Sequence, residues 1–243
     1  MMGKKAFVTG GTGSIGAAIV REFRESGIEV GFQFNSNHEG AAKLAEETGA
    51  EAVRMNLADA FHVDLGDVDI LVNSAGILLT KTSIEEVSDE EMDETLAVNL
   101  MAPFRLMRAV IPGMKARGWG RIINIGSIYA HRGVGKNSSY NISKHALLGM
   151  TRSAAKDLAA HGITVNQVDP SAVDSRIIDD LARRFAASGE ITEAEYKEQI
   201  AGVIPVGRLA APRDIAAAVL YLSGEQSGFV TGESLIVDGG LIS

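Results

Sequence analysis

Two hydrophobic periods alternate along the chain. Residues 5–9 form a short apolar run ending in glycines, after which Ile15, Ile19 and Phe23 recur at helical spacing until Gly27. The first reads as a strand buried on both faces, the second as an amphipathic helix. The same grammar predicts a strand over 29–34, a helix over 39–47 with Gly49 after it, and strands over 51–55 and 69–72. Ser88-Asp89-Glu90-Glu91 sets a serine N-cap three residues before an acid, opening a long helix toward Met114 that Pro103 bends. A buried strand follows over 121–125. Residues 140–160 then carry Leu147, Leu148, Met150, Thr151, Ala154, Ala155 and Leu158 on one broad helical face, with Gly162 closing the helix. Residues 163–168 read as strand, 174–203 as a more polar helical segment, 214–222 as helix and 235–237 as a last strand. Strands alternating with helices predict an α/β fold: a doubly wound, Rossmann-type, mostly parallel seven-stranded sheet with helices on both faces. No linker or repeat interrupts the pattern, so residues 1–243 read as one doubly wound domain. Such folds bind ligands at the carboxyl ends of their strands.

Composition narrows the function classes. The 243 residues are 46% apolar and 22% charged, ordinary for a globular chain. A formal net charge of −8, with no run of lysine or arginine, lacks the electrostatic footprint of a nucleic-acid binder. No apolar stretch approaches the ~18 residues of a membrane span, and the run after Lys4-Lys5 is too short for a signal sequence. The absence of cysteine removes disulfides and thiolate chemistry and fits a reducing cytoplasm. His38, His62, His131, His145 and His161 show no metal-ligand spacing, so no metal site is expected. Glycine is in excess, with 27 residues.

Part of that excess sits in one place. Thr9-Gly10-Gly11-Thr12-Gly13-Ser14-Ile15-Gly16 joins the first strand to the first helix, where backbone amides and a helix N-terminus can face a pyrophosphate. The tip of the second strand discriminates the cofactor, since an acid there bonds the ribose 2′-hydroxyl of NAD and repels a 2′-phosphate. Here it reads Phe34-Asn35-Ser36-Asn37, without an acid and without a cation. Two readings stand: Asn35, Ser36 and Asn37 are donors to a phosphate, favouring NADP(H) over NAD(H), or they form a polar loop tip.

Tyr140 and Lys144 stand four apart and so share one helix face. An ammonium beside a phenol favours the phenolate and brings the tyrosine toward working pH, which suits a general acid/base. Ser127 follows the strand over 121–125, at the end where ligands sit.

With these residues in view, the chain resembles a classical short-chain dehydrogenase/reductase over essentially its whole length. Thr9 to Gly16 resembles the family's cofactor loop, Asn73-Ser74-Ala75-Gly76 its turn after the fourth strand, and Asn99, Ser127, Tyr140 and Lys144 its catalytic tetrad. Ile204-Pro205-Val206-Gly207-Arg208, Thr231-Gly232 and Val237-Asp238-Gly239-Gly240 resemble its C-terminal signatures. The resemblance implies hydride transfer between nicotinamide and a ketone or secondary alcohol. Tyr140 would protonate the oxygen, Ser127 hydrogen-bond it, Lys144 tune Tyr140 and hold the ribose, and Asn99 hold a water. It implies cofactor contacts at Gly10, Thr12, Gly13, Ser14, Ile15, Gly16, Asn35, Ser36, Asn56, Leu57, Asn73, Ala75, Gly76, Tyr140, Lys144, Pro170 and Val173.

The chain departs from the family pattern in several places. Ser14 replaces a glycine, Asn56 an aspartate near the adenine, and Ser171 the glycine of Pro-Gly; sixteen residues between Asn56 and Asn73 leave no room for a full crossover helix. Residues 174–203 exceed minimal members, implying a larger substrate lid. The nearest likeness is to 3-oxoacyl-carrier-protein reductases, through Gly120-Arg121-Ile122-Ile123-Asn124 and Gly207-Arg208-Leu209. His161 and Gly118 stand where carrier-dependent members are basic, which leaves carrier-protein docking open beside a CoA thioester or a free ketone. The family's tetramer, built on the helices opening at Asp89 and Tyr140, is expected. Two other classes stay open: an NAD-linked dehydrogenase of another secondary alcohol, and a non-catalytic dinucleotide-binding protein.

Overall fold

Strands buried on both faces must be apolar almost throughout, and β-branched side chains pack best on a pleated surface. The strands follow that rule: β1 (Lys5–Val8), β2 (Glu29–Phe34), β3 (Glu51–Arg54), β4 (Ile70–Asn73), β5 (Gly120–Ile125), β6 (Ile163–Pro170) and β7 (Ser234–Val237). In the computed structural model the described residues are 3–59, 65–79, 82–187, 189 and 191–242. His62, and positions 188 and 190 of the expected lid, lie outside them.

The seven strands form one sheet in the order β3-β2-β1-β4-β5-β6-β7, and every pair is parallel. Order reverses between β1 and β4, which opens a crevice above their carboxyl ends. The helices are α1 (Ser14–Glu25), α2 (His38–Thr48), α3 (Asp89–Leu96), α4 (Ala102–Arg117), α5 (Ser138–Leu158), α6 (Arg176–Ala186), α7 (Glu193–Gly202) and α8 (Pro212–Ser223). One face of the sheet is covered by α1, α2 and α8 through Ile19, Phe23, Leu44, Ile215 and Val219. The other is covered by α4 and α5 through Leu106, Met114, Ala155 and Leu158. Each of the larger side chains among these contributes roughly 1.5–3 kcal/mol by leaving water. Truncation to alanine of Phe23 or Phe32, both fully buried, would cost about 3–5 kcal/mol.

Several expectations change in the structure. The helix begun at Ser88 runs on past Pro103, but through a π turn over Ala97–Met101 in which Ala102 N–H bonds the Ala97 carbonyl five residues back. Pro103 cannot donate to the Asn99 carbonyl, so the ladder widens just before it instead of simply bending. Ser88 Oγ accepts from Glu91 N at 3.1 Å, while the Glu91 carboxylate accepts from the Ser139 hydroxyl at 2.9 Å and so ties α3 to α5. Residues 174–203 are two helices. Gly189 takes a positive φ of 78°, and Thr192 starts α7 with a complete capping box with Glu195. Among the described residues between β3 and β4 no helix occurs, as the short spacing requires.

Candidate active site

The loop after β1 is shaped by what cannot fit around it. A Cβ on Gly16 would lie 2.2 Å from the Gly10 carbonyl oxygen, so only glycine lets α1 start this close to the loop. Gln33, buried in β2, clamps the same loop: its Oε1 accepts from Gly10 N at 2.9 Å and its Nε2 donates to the Met55 carbonyl at 2.6 Å. Gly13 caps α1 without a side chain, and no acid stands in the first turn. The first N–H groups of the helix therefore remain open at their positive end.

Those amides border a cleft of about 390 Å³. Of the residues expected to hold the cofactor, Gly10, Thr12, Gly13, Ser14, Ile15, Gly16, Asn35, Ser36, Asn56, Leu57, Ala75 and Gly76 line it. Asn73, Tyr140, Lys144, Pro170 and Val173 stand outside that lining. Asn73 is buried at the end of β4 and donates to Asn124 at 2.8 Å; Val173 is buried and bridges to Ala210. Asn37 also borders the cleft, but its Oδ1 accepts from Gly40 N at 3.0 Å as the N-cap of α2, which commits that oxygen to the helix.

The sequence reading missed Gln33, Ser74, Glu94 and Arg176, which also line the cleft. Gln33 carried a signal, a polar residue inside an otherwise apolar buried strand. Arg176, exposed at the start of α6, is the one basic residue among the described lining residues, and its backbone N lies 3.4 Å from Ser14 Oγ. Ser74 Oγ is buried without a protein partner. An uncapped helix N-terminus, close-approaching glycines and an orphaned hydroxyl together fit a dinucleotide with its pyrophosphate at α1.

Beside this cleft the four expected catalytic residues converge. Asn99, in the π turn, gives Nδ2 to the Ile77 carbonyl at 3.0 Å and to Ser143 Oγ at 3.1 Å, and its Oδ1 accepts from Ile77 N at 2.8 Å. Its side chain thus staples the 76–77 wall of the cleft to α5. Lys144 is buried and donates from Nζ to the Ile125 carbonyl at 2.9 Å. A Cβ placed on Gly76 would meet Lys144 Nζ at 3.6 Å, so the ammonium backs directly onto the cleft wall. Tyr140 is half-buried and packs edge-to-face on Tyr129, ring centroids 6.0 Å apart. Ser127 leaves β5 in extended conformation, and its Oγ accepts from Tyr129 N at 3.2 Å.

The electrostatics differ from the sequence expectation. Burial pushes the Tyr140 phenol up to about 12, against the opposing pull of its hydrogen bond with Ser127. Burial also pulls Lys144 down to about 8, with the Asp169 charge working against it. Lys144 Nζ lies 5.4 Å from the Tyr140 ring centroid, engaged with a carbonyl, and within the protein desolvation of the phenol outweighs the ammonium. The pair is therefore a neutral phenol beside a weakly held ammonium, an arrangement with a proton to give.

A parallel sheet with a glycine-rich loop at its switch point and a tyrosine–lysine pair at its carboxyl edge is the architecture of an α/β oxidoreductase of the dinucleotide-binding class. The profile of the family described as enoyl-(acyl carrier protein) reductase matches residues 10–242. The acetoacetyl-CoA reductase of Rhizobium meliloti is 32% identical, with 98% of both chains covered. The 3-oxoacyl-[acyl-carrier-protein] reductase of Haemophilus influenzae is 35% identical, with 99% of both covered. Among solved structures, a blue fluorescent protein from a metagenomic library in complex with NADPH superposes with a TM-score of 0.86 at 38% identity, covering 100% of this chain and 99% of that one. A variant actinorhodin polyketide ketoreductase with NADPH gives 0.90 at 31% identity, covering 98% and 97%. The chain belongs to the short-chain dehydrogenase/reductase family. No helix among the described residues is long and apolar enough to cross a membrane.

Proposed function

We propose that the protein is an NADP(H)-preferring reductase of 3-oxoacyl thioesters or closely similar ketones. The observation that carries this is the convergence of Ser127, Tyr140, Lys144 and Asn99 at the carboxyl end of β5, against the wall of a cleft that opens onto an uncapped helix N-terminus. The NADPH complexes of similar structures, and the absence of an acid at Asn35-Ser36-Asn37, favour NADP(H). A bound nicotinamide dinucleotide would supply the hydride.

The chain's own groups do the rest. The Tyr140 phenol, protonated across neutral pH, gives its proton to the carbonyl oxygen while the Ser127 hydroxyl donates to the same atom. Lys144 supplies positive charge beside the phenol and toward the ribose side of the cleft. The Asn99 side chain is committed to Ile77 and Ser143, so a relay water would sit on its backbone carbonyl, which Pro103 leaves without its helical donor. Gly10, Thr12, Gly13, Ser14, Ile15 and Gly16 take the pyrophosphate; Asn35 and Ser36 the adenosine ribose; Asn56 and Leu57 the adenine side; Ala75 and Gly76, with Asn73 behind them, the ribose wall; Pro170 and Val173 the nicotinamide end.

Residues 174–203 form the substrate lid of the single domain, with Phe185 stacked on Tyr196 at 4.8 Å to hold α6 against α7. A CoA thioester suits the surface better than a carrier protein. Arg117, the basic residue nearest the expected carrier site, is spent on Asp67, Asp69 and the Val68 carbonyl. Exposed Met101, Phe104 and Ile142 on the α4 and α5 side provide apolar surface for a homotetramer, which light scattering would measure.

The deciding experiment compares kcat/KM for acetoacetyl-CoA and an acyl-carrier-bound substrate with NADPH and NADH, in wild type and Tyr140→Phe. NADPH-dependent reduction that disappears in the variant, while NADPH binding persists, is expected. Equal turnover by Tyr140→Phe would sink the catalytic assignment, and a preference for NADH would overturn the cofactor reading.

A further inference from the structure

One buried acid next to the tetrad has no part in the proton transfer just described. Asp169, the penultimate residue of β6, is fully buried. Its Oδ1 accepts from the backbone N–H of Ser127 at 2.7 Å and from Gln167 Nε2 at 2.8 Å. On the other oxygen, the Ser234 hydroxyl donates to Oδ2 and His131 Nε2 lies 2.8 Å away. Four partners that can all donate suit a carboxylate, which only accepts. A side chain on residue 126 would destroy the arrangement: a Cβ on Gly126 would fall 1.9 Å from Asp169 Oδ1.

Lys144 reaches the same stretch of chain: its Nζ donates to the Ile125 carbonyl at 2.9 Å, two residues before the amide that Asp169 holds. Among the described residues Lys144 has no ion pair, and its ammonium is held by the Ile125 carbonyl at the end of the strand that leads into Ser127. The charged or titratable groups that face this corner are Tyr140 from α5, Tyr129 and His131 from the segment after β5, and Asp169 from β6. Only Asp169 is an acid among them, and its charge opposes the effect of burial on Lys144.

We propose that Asp169 is a positioning residue for the reaction, fixing the backbone of Ser127 and supplying the buried counter-charge for the Lys144 ammonium. This rests on the catalytic reading above. Ser127 is held at its amide by a charge-assisted bond, so its hydroxyl is presented from a fixed backbone. A neutral residue at 169 would loosen that amide and leave the ammonium buried with a carbonyl alone, and Lys144 would give up its proton more easily.

The test is made on the full-length protein without substrate. The titration of Lys144 is followed by NMR of ¹³C-labelled lysine side chains, the signal being assigned by its loss in Lys144→Met, and the Ser127 amide is followed in the ¹⁵N spectrum. Asp169→Asn is expected to lower the Lys144 titration by about one pH unit or more and to move the Ser127 amide proton upfield. Asp169→Ala, which leaves room for water and avoids presenting an amide NH₂ to a set of donors, is expected to shift both signals in the same direction, so the outcome does not hang on one variant's folding. With substrate, kcat for reduction falls by about tenfold or more, KM stays within about twofold, and NADPH affinity is unchanged. An unmoved Lys144 titration in both variants, or a loss confined to KM, would overturn the role of Asp169. A wild type that reduces no 3-oxoacyl thioester would refute the reductase reading instead, leaving the substrate-free titration to decide on Asp169.

Discussion

Lys144 is a liability to folding, and the size of the liability follows from its position. Burial lowers its pKa from 10.5 to about 8. Below pH 8 both folded and unfolded chains carry the proton, and folding bears the full difference of about 2.5 pH units, about 3 kcal/mol. Between pH 8 and 10.5 the unfolded chain binds the extra proton, so stability rises with pH in that window. Working the linkage through, the penalty of about 3 kcal/mol at pH 7 shrinks to about 1 kcal/mol at pH 9.5. Tyr140 acts in the opposite sense, since its pKa is raised from 10.0 to about 12, but that loss of stability sets in only above about pH 10. Lys144→Met keeps an apolar stem of similar length and removes the titration. Urea unfolding of wild type and variant at pH 7 and pH 9.5 should therefore show the variant's relative advantage shrinking by about 2 kcal/mol between the two. The variant should be inactive throughout, a trade of stability for catalysis. A difference between the two proteins that stays constant across this range would refute the reasoning, whatever its size, because a mere packing effect of methionine carries no pH dependence.

Three further outcomes follow from the site. Gly16→Ala drives a Cβ against the Gly10 carbonyl at 2.2 Å, a backbone contact that must move; overpacking of about 1–3 kcal/mol should weaken NADPH binding by about tenfold, read by nicotinamide fluorescence, and an unchanged Kd would show that the loop tolerates the shift. Arg176→Ala removes the one basic side chain among the described cleft-lining residues and should weaken NADPH by up to about fivefold, in a salt-dependent way; equal Kd values at low and high salt for wild type and variant would exclude a phosphate contact. The rate of ketone reduction should decline as pH rises through about 8, where Lys144 loses its charge, and a flat profile to pH 10 would remove Lys144 from the transfer step.

The parts of the molecule that were legible in the sequence are those where one local rule suffices. A run such as Ile70–Asn73 is buried on both faces, so its apolar content alone marks a strand, and strands alternating with helices leave a parallel sheet as the economical topology. Gly16 was legible for a similar reason, because its place between strand and helix implies close approach even before the contact with Gly10 is seen. What escaped depends on two segments far apart meeting. Arg176 meets Ser14, at the start of α1, across 162 residues of chain, and nothing in its own neighbourhood marks it. The tyrosine–lysine pair is legible in its spacing, but its charge state is not, because spacing carries no information about burial. Four residues on a helix place Lys144 near Tyr140, yet burial of both groups decides that the phenol rises and the ammonium falls. Asp169 is the extreme case. In the sequence it is one acid near the end of a strand, where an unpaired charge would be expected to face water; its burial becomes intelligible only when Ser127, Gln167, His131 and Ser234 are all in place around it. A buried acid with four donors is expensive to assemble, and beyond those donors the charge it brings acts on Lys144.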